Sequence, residues 1–267
     1  MSSSSLPWPT APAALPIGPL RPVVERLSSL ARRHPDDVTL LPGLAFEDGE
    51  VAADPPPVLG QIVDEFGGVD VRGAGGVTLL GDERSDLGPY SLLGEAITYL
   101  PLLETEEEAV ILTIADDGSA GAVLAIADDL AVHLAAPDLR TWLEHAAAAL
   151  EDVAARLERS ETSGTARDEE AATLVRDLVL GPVVDGTGEA QQEEVPVLPL
   201  GAGSALPPDL DGLDLPFGVV GVADLRRCGM GARIDVLEAQ VAGEELDRRL
   251  VWRDGGRVIV LVDGARE

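Results

Sequence analysis

The chain has 267 residues, enough for one large domain or two modest ones. Apolar residues make up 45% of it and aromatics only 3%, so the core must come from Leu, Val, Ile and Ala, which offer no stacking platforms for bases. All 19 basic residues are Arg, and against 48 acidic ones they leave a formal net charge of -29. That field repels nucleic-acid phosphates and anionic lipid and steers basic partners toward the surface.

Met1 to Pro22 begins with four serines and then carries Pro7, Pro9, Pro12, Pro16, Pro19 and Pro22, so residues 1–20 are expected to be an extended arm. It lacks the basic start and unbroken apolar run of a signal peptide. No stretch nears the roughly 20 apolar residues of a membrane helix, the nearest being runs such as Ala109 to Ala115, and a cytoplasmic location is expected. From Pro22, the residues Val23, Val24, Leu27, Leu30 and Ala31 recur at helical spacing until His34-Pro35. Pro55-Pro56-Pro57 introduces a second, shorter helix with Leu59, Ile62, Val63 and Phe66 on one face, and Gly67-Gly68 reads as its stop.

Val69 to Val71, Val77 to Leu80 and Ile97 to Leu103 read as strands. Val110 to Ile114 and Ala122 to Ile126, joined by Asp116-Asp117-Gly118, form a β-hairpin, and Leu130 to Leu134 adds a third strand. Asp138 then caps a helix with Leu139, Trp142, Leu143, Ala146, Ala147 and Leu150 on its apolar face. The polar stretch 160–168 reads as a linker to a second unit, 169–267. That unit opens with a helix over Glu169 to Leu180, passes through a Gly- and Pro-rich mobile loop at 181–216, and ends in strands at Phe217 to Val222, Ala232 to Val241, Arg248 to Trp252 and Arg257 to Val262. Arg233 to Val241 suits a helix equally well, and Asp254-Gly255-Gly256 joins the last two strands.

From about Arg21 to Arg159 this order of elements resembles the SUKH superfamily of Smi/Knr-like proteins. The likeness is carried by Pro57 to Gly68, with Leu59, Ile62, Phe66 and the two glycines leading into a strand, and by Gly118 to Ala125 running through Asp129 to the Leu139-Trp142-Leu143 helix. It implies an α+β fold, one antiparallel sheet backed by helices, to which the C-terminal residues add a smaller α+β unit. It also implies a non-enzymatic role: many bacterial members look like immunity proteins that neutralise toxins, often nucleases, and others are protein-interaction modules. The arm and the C-terminal unit depart from the family pattern and favour, as the alternative, an accessory or scaffold subunit of a larger bacterial assembly.

No cofactor or metal is expected. Asp128, Asp129 and His133 place two carboxylates near an imidazole, but strand alternation keeps them from converging, and Asp116-Asp117-Gly118 lacks the regular acidic spacing of a calcium loop. Gly201-Ala202-Gly203 and Gly229-Met230-Gly231 complete no phosphate-binding motif, and without lysine there is no Walker A site. The single cysteine, Cys228, excludes an intrachain disulfide, and Arg226 and Arg227 are placed to lower its pKa. The carboxylates Asp82, Glu83, Asp86, Glu104, Glu106, Glu107 and Glu108 remain as a solvated face or a docking surface for a basic protein partner.

Overall fold

The structure is a computed structural model that describes residues 17–43, 59–80, 99–105, 108–115, 117–127, 129–186, 193–201 and 207–264. The fold is α+β, with three antiparallel sheets and a helical layer. Helix α1 (Ile17–Arg33) starts five residues before the expected Pro22, which cuts the expected arm short. Pro22 sits one turn in, where its missing N–H forfeits a single helical bond. Leu20, Val23, Leu27 and Leu30 form the buried stripe.

Strand β1 (Val38–Pro42) pairs with β2 (Phe66–Val71), which pairs with β3 (Gly76–Thr78). Helix α2 (Gly60–Glu65) runs straight into β2, so Gly67 and Gly68 lie inside a strand and are not the stop signal the sequence suggested. Their role is close approach: a Cβ at Gly67 would overlap the Pro42 carbonyl oxygen, and one at Gly68 (φ 137°) the Val77 carbonyl oxygen.

The largest sheet is built from β4 (Tyr99–Glu104), β5 (Ala109–Ile114), β6 (Ala120–Ile126), β7 (Val132–Ala136) and β10 (Arg233–Ile234), in the order β10-β7-β6-β5-β4. The expected β5–β6 hairpin is present. Helix α3 (Leu139–Arg159) follows, capped as expected by Asp138, whose carboxylate accepts from the Thr141 N–H at 2.8 Å. The third sheet comprises β8 (Leu198–Pro199), β9 (Val219–Asp224), β11 (Arg248–Arg253) and β12 (Val258–Asp263), in the order β11-β12-β9-β8.

The five-stranded sheet is covered on both faces. Val110, Leu112, Val123 and Ala125 point into a core shared with α1, α3 and the first sheet, whereas Ile111, Leu124, Val132 and Leu134 point into a second core closed by the third sheet. This is the period-two alternation of a strand applied to two apolar layers. Residues 160–168 are therefore not a divider between separate bodies. Helix α4 (Thr165–Val175), a π-helical turn (Arg176–Leu180) and α5 (Gly181–Val184) place Ala171, Val175, Val179, Leu180 and Val183 in the first core. Arg167 clamps Asp37 through two bonds of 2.7 and 2.8 Å, and Arg72 donates to the Asp168 carboxylate at 2.7 Å. Within 181–216, Val195 and Leu210 are buried in the second core. The segment after β10 forms turns, not the helix or long strand that its sequence allowed.

The joint between the sheets is tight. The Ala122 N–H donates to the Gly255 carbonyl at 2.7 Å, the Thr113 hydroxyl donates to Ala122 O at 2.8 Å, and Trp252 Nε1 donates to Ile114 O at 3.4 Å while its ring meets Tyr99 edge to face at 6.3 Å. A Cβ on Gly121 would overlap both the Gly255 carbonyl oxygen and the Thr113 hydroxyl.

Candidate protein-binding surface

Glu104 and Glu108, the described members of the acidic run, flank the β4–β5 turn. Strand register places Glu104, at the end of β4, opposite Ala109, and its side chain is exposed. The turn is held by its own polar groups. The Thr105 N–H donates to the Glu108 carbonyl at 2.8 Å, and the Glu108 N–H donates to the Thr105 hydroxyl at 2.9 Å.

Glu108 does not belong to the exposed face. Its side chain is only 3% accessible, accepts from the Thr105 hydroxyl at 3.0 Å and is ion-paired with Arg176 at 2.8 Å. Arg176 also binds Asp185, so one guanidinium ties the hairpin turn to the far end of α5. These two carboxylates and the Asp185 hydrogen bond hold the guanidinium firmly protonated, and Arg176 in turn keeps the Asp185 carboxyl below its usual range. Arg176 opens the π-helical turn, whose Val179 carbonyl accepts from His145 Nε2 at 2.9 Å. The expected docking residue is a structural anchor, recruited by an arginine that its sequence neighbourhood does not contain. Asp82, Glu83, Asp86, Glu106 and Glu107 lie outside the described residues.

The other candidates resolve into structure. Asp129 holds Arg233 at 2.8 Å, and His133 lies buried in β7 with Nδ1 unpartnered, so the two form no acid–base pair; Asp128 lies outside the described residues. Burial, and then the Arg233 charge, push His133 below its ordinary pKa. Asp117 folds its own turn by accepting from the Ser119 N–H and hydroxyl, and Asp116 is outside the described residues. The thiol of Cys228 is pushed up by burial and then by Glu193 and Asp224, opposite to the expected effect of its arginine neighbours. Arg226 is turned onto Asp224 at 2.8 Å.

An open groove of about 840 Å³, with no counterpart among the sequence expectations, lies where the chain enters β11. It is lined by Gln240, Glu244, Glu245, Asp247 and the buried Arg248, whose Nη1 donates to the Val236 and Leu237 carbonyls. Its sequence signal is only three carboxylates in four residues, Glu244 to Asp247, broken by Leu246. Among the described residues no cluster of His, Cys, Asp and Glu is arranged to hold a metal ion, and no helix is long and apolar enough to cross a membrane. Comparison with family models, with curated proteins and with solved structures finds no match to this chain.

Proposed function

We propose that the protein is a non-enzymatic binding module for a basic protein, of the immunity type that the SUKH-like order of elements suggests, with a nuclease-like toxin as the kind of partner such a surface suits. The observation that carries this reading is where the arginines go. Arg26, Arg72, Arg167, Arg176, Arg226 and Arg233 hold carboxylates, while Arg253 and Arg257 hold backbone carbonyls. With these cations already engaged by groups of the chain itself and a net charge of -29, the outward field is anionic. Such a field accelerates encounter with a cationic surface and selects against polyanions.

The test compares wild type with a variant in which Asp82, Glu83, Asp86, Glu104, Glu106 and Glu107 become the corresponding amides. Each is used to capture proteins from an extract of its own cells at low and high salt. Wild type is expected to retain a basic protein that about 0.5 M salt releases, and the variant to bind it at least about tenfold more slowly with a flattened salt dependence. Equal capture at both salt concentrations by both proteins would refute the electrostatic reading. A third variant neutralising Glu244, Glu245 and Asp247 reports whether the groove beside β11 takes part.

A further inference from the structure

Among the described residues, β10 is the only strand from beyond α5 to enter the five-stranded sheet, and it does so through two residues at the sheet edge, Arg233 opposite His133 and Ile234 opposite Val132. Few bonds close that seam. Around the paired residues, the Leu134 N–H donates to Ala232 O at 2.9 Å and the Gly231 N–H to Leu134 O at 2.8 Å. On the outer side, Arg233 exchanges backbone bonds with Glu193 and Val195. His133 sits under this seam, 2% exposed, on the same sheet face as Arg233, and each has an orphaned buried nitrogen, Nδ1 in the imidazole and Nε in the guanidinium.

We infer that β10 is an acid-released strand: His133 takes a proton only by opening the β7–β10 seam to water. The charged groups that face the imidazole account for this. Arg233 lies across the seam on β10, bonded to Asp129 of the β6–β7 turn and to Asp235 beyond β10. Asp185, beyond α5, attracts the ring proton but is engaged by Arg176. Both nearby carboxylates therefore already answer an arginine, and burial dominates the balance, holding the ring neutral. The remaining favourable contact is the Gly231 carbonyl, at the entry to the same seam.

The sign is fixed by the direction of the shift. A base whose folded pKa is depressed leaves folding unaffected above its unfolded value near 6.5. Below that value the open state gains the proton first, so closure weakens as pH falls through 6.5 toward the folded pKa. Other routes to the ring are costlier, because β6 pairs with β7 along most of its length and α3 and α5 pack over that face.

The experiment is amide hydrogen exchange on the full chain between about pH 7.5 and 5, corrected for intrinsic rates, with His133→Gln alongside and the His133 ring followed by NMR. The expected result is that protection at Gly231 and Leu134, whose amides bridge the seam, falls by up to about tenfold per pH unit below 6.5 in wild type, one proton's worth of linkage. The β5–β6 amides should keep theirs, and H133Q should show no such slope. Equal loss in H133Q would assign the effect to the carboxylates and overturn the inference. Titration of the ring with unchanged seam protection would overturn it as well, and that readout needs no variant.

Discussion

Glu104 and Glu108 stand four apart in one acidic run, yet one is exposed and the other buried against Arg176. Glu108→Ala is expected to cost about 3 kcal/mol, the lower end for breaking a buried pair because Arg176 is 32% exposed and partly screened. Glu104→Gln should stay within about 0.5 kcal/mol. Paired urea unfolding curves decide the matter, and equal midpoints would mean the Arg176 bridge contributes nothing. Nothing in the local sequence separates the two glutamates, because the selecting arginine arrives from another element. The same blindness explains Cys228: adjacent Arg226 and Arg227 imply a lowered pKa only until Arg226 is seen on Asp224.

At the scale of elements, periodicity and caps were well marked in the chain. The Val110–Ile114 and Ala122–Ile126 hairpin, the Asp138 cap and the Asp254-Gly255-Gly256 connection follow from alternation and local turn chemistry, which act within a few residues. Gly67-Gly68 misled because a glycine pair signals both a helix end and a crowded strand, and only the neighbouring backbones distinguish them. Gly121 is the sharper instance, an unremarkable strand glycine in sequence whose Cα faces the Gly255 turn. Gly121→Ala is expected to destabilise by about 3 kcal/mol through overpacking between the two sheets, read as a fall in melting temperature. Gly229→Ala, where a Cβ meets open space, is the matched control and should move stability little.

For the whole molecule, the polar segment 160–168 and the Gly/Pro-rich 181–216 suggested separable halves because composition reports solvation near a linker, not what folds back across it. The fragment 21–159 would bare Tyr99, Ile111, Leu124, Val132 and Leu134, which the third sheet covers. It is expected to self-associate and bind a hydrophobic dye strongly, whereas a monodisperse, dye-silent fragment would show that the second core is dispensable. Net charge acts at this scale too. Mutual repulsion among unpaired carboxylates opposes compaction, so added sodium chloride at pH 7 should raise the melting temperature before any specific ion effect appears. A melting temperature that falls steadily with salt would mean the internal ion pairs outweigh the repulsion.

The doubly covered sheet also bears on how this sequence can drift. An antiparallel strand with one wet face lets every second position vary at little cost. All six residues of β5 are buried, and six of the seven in β6, so neither phase of the alternation is permissive. A saturation library across Ala109–Ile126 should therefore lose the usual comb of tolerant and intolerant sites along both strands and concentrate its neutral changes in the connecting turn, leaving two short stretches where descent is slow at every position.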